Sequence, residues 1–199
     1  MSTTPGLRER KKAETRQAVH RAALLLVAEH GFDNVTVEAI ADVANISRRT
    51  FFNYFADKAD AVMYGEEQRH RRLLDAFQAR PPEESGLRAL REVTLALHAE
   101  VGEPDRETVL RNKLARNHPS LLASLLSRIS AFERDLAQAI AERDDDAGLR
   151  PRVLAGAYLA TVRVATAVWL EEEDTSRSLA ETTFTALNEL SRMFSDDDG

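Results

Sequence analysis

The apolar residues of this chain recur every three to four positions and nowhere with the two-residue alternation of a half-buried strand. That period lines one face of an α-helix, so the sequence predicts an all-α fold. Val19, Ala22, Ala23, Leu26 and Val27 mark such a face within 8–30, and Gly31 stands where a C-cap is expected. The eight glycines and six prolines read as punctuation between the periodic segments. Thr36 is placed to cap a short helix reaching Ala44, with Ile40 and Val43 turned inward. Asn45 and Ile46 then turn the chain, and Ser47 caps a second helix over about 48–55. Asp57 and Asp60 suit the start of a longer helix to about Ala79. Breaks at 80–85 and beyond predict further helices over 86–101, 105–117, 119–143, 150–173 and 176–194. No internal repeat appears, which argues against a solenoid.

Composition removes several functions. With no cysteine there is no disulfide, thiol nucleophile or thiolate metal site, and a reducing cytoplasm fits. Phosphate-binding glycine loops and the HExxH metal pattern are absent and the five histidines are scattered, so neither an enzyme nor a cofactor is expected. The run 153–170 carries a single charge, Arg163. A bilayer span needs about 20 apolar residues and tolerates a central arginine poorly, so no membrane partner is expected and the helix reads as buried on several faces. The overall charge of −6 is unevenly spread. Residues 1–58 hold nine Lys/Arg against seven Asp/Glu, and the remainder holds eighteen against twenty-six. A mildly basic head precedes an acidic body.

The stretch Ser-Arg-Arg-Thr-Phe-Phe-Asn-Tyr-Phe (47–55) holds four of the twelve aromatic residues and two arginines. On a helical wheel this crowding separates. Phe51 and Phe55 stand one above the other as an apolar anchor, while Arg49 and Asn53 point the opposite way, flanked by Thr50 and Phe52. Arg48 and Tyr54 lie between. Two short helices joined by a tight turn match a helix-turn-helix. Arginine can bridge the edge of guanine, asparagine can pair with adenine, and an exposed ring can lie on a thymine methyl. Thr36 and Lys58 are placed to grip phosphates, and the basic run 7–12 could reach a neighbouring phosphate or the minor groove.

The segment 15–62 resembles the DNA-binding domain of the TetR family of transcriptional regulators. Thr15-Arg16, Ala22-Ala23, Gly31-Phe32, Thr36, Ile40-Ala41, Ser47, Thr50, the 51–55 run and Lys58 carry the likeness. Asn53 and Phe52 stand where many relatives have His and Tyr, and Arg49 replaces a frequent small residue. These departures affect the operator sequence, not the docking mode. The resemblance implies a three-helix DNA-binding domain with a basic arm over 1–58 and a helical effector-binding and dimerisation domain over 59–199. It implies DNA contacts from Thr36, Ser47, Arg48, Arg49, Thr50, Phe52, Asn53, Tyr54 and Lys58. It also implies a cytoplasmic homodimer, a double-stranded palindromic operator, and repression relieved by a small molecule.

In the body, Tyr158, Thr161, Ala165, Val168 and Trp169 could form a dimer seam with Leu179, Phe184, Leu187, Leu190 and Phe194, or an ordinary core. Met63, Leu97, Val101, Leu110, Leu114, Leu125, Ile129, Phe132, Tyr158 and Trp169 are candidate pocket residues. Arg163 is expected to need a partner, either a carboxylate of the body or an effector's anion. The effector is expected to be lipophilic or amphipathic, with an acyl-CoA among the candidates.

Overall fold

The computed structural model describes residues 6–104, 109, 113, 118–172 and 176–195. Among these there are eight helices and no strand: α1 (Leu7–His30), α2 (Val37–Val43), α3 (Arg48–Phe52), α4 (Lys58–Gln78), α5 (Gly86–Val101), α6 (Pro119–Asp144), α7 (Arg150–Glu171) and α8 (Leu179–Ser195). Except for residues 109 and 113, the helix expected over 105–117 lies outside the described residues, Leu110 and Leu114 included. The basic run 7–12 is the first turns of α1 rather than an arm ahead of it.

The described residues form two compact units. One gathers those up to Arg69 and those between 109 and 127; the other gathers 70–108 and everything from Arg128 on. In the first unit, Val19, Ala23, Val27, Ile40, Phe51, Phe55, Val62 and Met63 make one apolar core, and Leu121 of α6 is wholly buried in it. Met63 is therefore a head-core residue and not a pocket lining. Leu125 packs against the same core. Just ahead of α6, the His118 ring lies 5.5 Å from that of Phe32.

Caps fix where the short helices begin. Thr36 accepts from the Ala39 N–H and Ser47 from that of Thr50, each satisfying a donor that the first turn leaves open. Asn45 carries the turn between them at φ 54°, a left-handed conformation that asparagine tolerates better than most residues. Asp57 accepts from the Asp60 N–H while Asp60 accepts from that of Ala56, a reciprocal cap on α4. Gly31 ends α1 at φ 78°, donating to the Val27 carbonyl. Val43, expected inward, is exposed, because Ala41 with Ile40 supplies the buried face of so short a helix.

In the second unit α8 packs along α7 and against α5. Phe77, Leu90, Val93, Phe132, Leu136, Ile140, Leu154, Tyr158 and Leu187 fill its core. Arg143 of α6 closes the end of α4: its two terminal nitrogens donate to the carbonyls of Phe77, Arg80, Pro81 and Glu84 at 2.6–3.3 Å. Two glycines break the expected punctuation. Gly65 and Gly156 sit inside helices; the His20 ring occupies the space of a Cβ at Gly65, and the Glu133 carboxylate closely approaches that of Gly156.

Candidate nucleic-acid interface

Regular helix in α3 covers only Arg48–Phe52, shorter than the sequence period suggests. The Asn53 N–H still bonds back to the Arg49 and Thr50 carbonyls, and those of Tyr54 and Phe55 to the Phe51 carbonyl, so the wheel positions roughly persist through the turn. Phe51 has no accessible surface and Phe55 almost none, while Arg48, Arg49, Phe52 and Asn53 are exposed. Phe52 keeps 47% of its surface open, an unusual amount for a phenylalanine in an isolated head.

Neighbours hold this exposed row in place. The Arg48 guanidinium pairs with Glu38 at 2.9 Å and lies 5.6 Å over the Phe52 ring. Ser47 and Thr50 bond hydroxyl to hydroxyl at 2.8 Å. Tyr54 is half-buried against the core, with Arg16 of α1 5.7 Å from its ring. Beside it an open groove is lined by Arg8, Glu9, Lys11, Lys12, Thr15 and Tyr54. The first turns of α1 thus set three cations next to the turn that follows α3.

Lys58 does something besides what its sequence position suggests. Its ammonium donates to the carbonyls of Phe32 at 2.7 Å and Val35 at 2.9 Å, and sits 4.4 Å over the Phe32 ring. An ammonium has three N–H donors. Two close the α1–α2 loop, leaving one for a phosphate. Thr36 uses its hydroxyl oxygen as a cap acceptor, yet is exposed.

Among the described residues, the expected pocket residues fall at different places within the two units. Phe132 and Tyr158 belong to the core of the second unit, Leu97 packs against it, and Ile129 is half-buried. Val101 is 66% exposed at the end of α5. Thr94 donates its hydroxyl to the Leu90 carbonyl at 2.7 Å, so the Tyr158 hydroxyl must donate to Thr94 across the 2.8 Å between them. Burial pushes the Tyr158 phenol up to about 12. Trp169 is buried and donates its indole N–H to the Arg177 carbonyl.

The expected seam also divides. Tyr158, Ala165, Trp169, Leu187 and Leu190 are buried within the single chain. What α7 and α8 leave exposed is Val153, Val164, Val168, Phe184 and Met193. Arg163 is exposed on α7 and needs no buried partner, contrary to expectation. By length and composition α7 could cross a membrane, but it carries core residues along one side, with 28% of its most apolar stretch buried.

Two family models match the chain. Residues 20–61 match the model for bacterial regulatory proteins of the tetR family, and residues 84–195 that for the MftR C-terminal domain. The chain is 33% identical over 180 residues to the HTH-type transcriptional regulator TcmR of Streptomyces glaucescens, covering 86% of this chain and 80% of that protein. Over 176 residues it is 30% identical to the putative mycofactocin biosynthesis regulator MftR of Mycobacterium tuberculosis, covering 84% and 85%. Among solved structures, a TetR-family regulator from Syntrophomonas wolfei superposes with a TM-score of 0.67 at 17% identity, covering 91% of this chain and 95% of that one. FadR from Bacillus subtilis, crystallised with stearoyl-CoA, superposes with 0.57 at 18% identity, covering 87% and 96%. At such identity these structures support the fold.

Proposed function

Because the chain belongs to the TetR family of transcriptional regulators, we propose that α3 is its reading helix and that it represses transcription from a palindromic operator until a small molecule releases it. The observation that carries this reading is the row Arg48, Arg49, Phe52 and Asn53 standing exposed above the buried Phe51 and Phe55. Arg49 and Asn53 offer the donors and acceptor that base edges in the major groove require. Ser47, Thr50, Tyr54 and Thr36 serve the flanking phosphates, joined by Arg8, Lys11 and Lys12 of the groove. Lys58 contributes mainly by holding the loop before α2, with a single donor to spare.

Arg49→Ala tests the assignment. It is expected to weaken operator binding by about 1–3 kcal/mol and to relax base preference at one position. Operator affinity and preference both equal to the parent's would remove Arg49 from the interface.

DNA reading is assigned to residues up to 58, and effector binding and dimerisation to the remainder. The exposed apolar side of α7 and α8 supports a homodimer, since a second copy of the same face would cover it. Two reading helices would then meet successive major grooves about 34 Å apart. Val164→Asp, at a position 48% exposed in the single chain, is expected to convert the dimer to a folded monomer. Sedimentation of the variant as a dimer would place the interface elsewhere.

The effector we infer is lipophilic or amphipathic, and the neighbour crystallised with stearoyl-CoA makes an acyl-CoA the first compound to titrate. It need only bind better to a head spacing that does not fit DNA; equal affinity for both states would shift nothing. Such a regulator acts where the DNA is, in the cytoplasm.

A further inference from the structure

A row of rings connects the exposed Phe52 to the inside of the head. Phe52 meets Phe51 edge-on at 5.4 Å, Phe51 lies 5.7 Å from Phe55, and Phe55 meets Tyr64 at 5.5 Å. Tyr64 in turn meets the His20 ring at 6.0 Å. The row starts on α3, crosses α4 and ends on α1, at a notch.

His20 is almost wholly buried, and its Nδ1 stands 2.8 Å from the Ala61 carbonyl. A carbonyl only accepts, so Nδ1 carries a proton. The ring then rests on Gly65, one turn further along α4. A Cβ at Gly65 would stand 2.4 Å from His20 Nε2 and 3.0 Å from Cε1. These are atoms of a buried ring tied at its other nitrogen, not the free end of a flexible chain. A glycine inside a helix costs about 1 kcal/mol relative to alanine. Here the space it leaves is filled.

We propose that His20 and Gly65 are positioning residues for operator binding: the ring in its notch fixes how α1 seats on α4, and the aromatic row passes that setting to the exposed row of α3. The inference rests on α3 being the reading helix. Closely packed interiors transmit displacement because they hold little free volume. A shift at the notch large enough to admit a methyl group exceeds the roughly 0.5 Å range over which N–H···O bonds keep good geometry. Neither residue is exposed to DNA, so neither makes a phosphate or base contact of its own.

The test uses Gly65→Ala, His20→Ala and the double variant in the full chain, each checked for folding by circular dichroism below its melting temperature. Gly65→Ala is expected to bind operator at least about tenfold more weakly, an effect as large as removing one bidentate pairing with a base. The slope of log affinity against log salt should stay that of the parent, because every phosphate partner is still present. Removing the ring makes room for the methyl group. The double variant should therefore bind within about twofold of His20→Ala alone, the margin to which independent changes add. A merely structural role would lower the melting temperature and leave the folded protein's operator affinity unchanged; that result, or a double variant weaker than His20→Ala by the full factor that Gly65→Ala alone costs, overturns the proposal. Should Gly65→Ala not fold, His20→Asn keeps a donor for Ala61 without filling the notch, and parental operator affinity in that variant overturns it equally. Arg49→Ala run in parallel separates the failures. If it alone weakens binding, the notch assignment falls; if neither does, the reading of α3 falls with it.

Discussion

Phe51→Ala is expected to destabilise the head by about 3–5 kcal/mol, the cost of emptying a filled aromatic site, while Phe52→Ala, one residue on, costs about 1 kcal/mol or less. The two rings touch edge-on, but only Phe51 is fully enclosed, with Phe55, Ile40, Val19 and Val62 in the same core. Domains of this kind are stable by only about 5–15 kcal/mol in total. Removing several of these leaves a substantial share of heads open, and apparent operator affinity falls with the competent fraction. Phe52→Ala should do the opposite: urea unfolding close to the parent's, with weaker operator binding from a folded head. Equal urea midpoints for Phe51→Ala and Phe52→Ala would contradict the separation of anchor from contact face.

Arg143→Ala is expected to remove about 2–4 kcal/mol from the second unit. Hydrogen bonds made by a charged group are worth about 1.5–3 kcal/mol each when well enclosed, and here four carbonyls share one guanidinium that is partly open to water. The guanidinium also lies 4.8 Å over the Phe77 ring, and its charge faces the carbonyl end of α4. Water can replace some of these bonds, which holds the loss below their sum. For a chain of this length the melting temperature should drop by roughly 5–15 °C. Arg143→Lys should recover less than half, because an ammonium cannot span two pairs of carbonyls as a planar fork does. Full recovery by lysine would show that charge alone, not the fork, closes this end.

Much of the head could be read locally. Caps at Thr36, Ser47 and Asp57 are short-range devices, and each begins a helix where the residue type predicts. The separation of Phe51 and Phe55 from Arg49 and Asn53 follows from helical period alone. What escaped was set by residues distant in sequence. Lys58 reads as a phosphate ligand, and only the fold shows that the carbonyls of Phe32 and Val35 take two of its three donors. Met63 continues an apolar stripe that could serve either unit, and only membership of one core with Leu121 and Phe55 assigns it to the head. The run 153–170 is apolar on nearly every side, so its periodicity cannot say which side the chain covers itself. Arg163 marked the open side, but a lone charge in such a run reads equally as a buried ion.

Leu121 lies inside the head although more than half the chain precedes it, and Leu125 leans on the same core. A chimaera made by cutting at residue 58 and joining another regulator's reading module would therefore arrive with a hole, or with a bulge, where these two leucines belong. Exchange of specificity between such proteins has to carry a matching patch from the middle of the polypeptide.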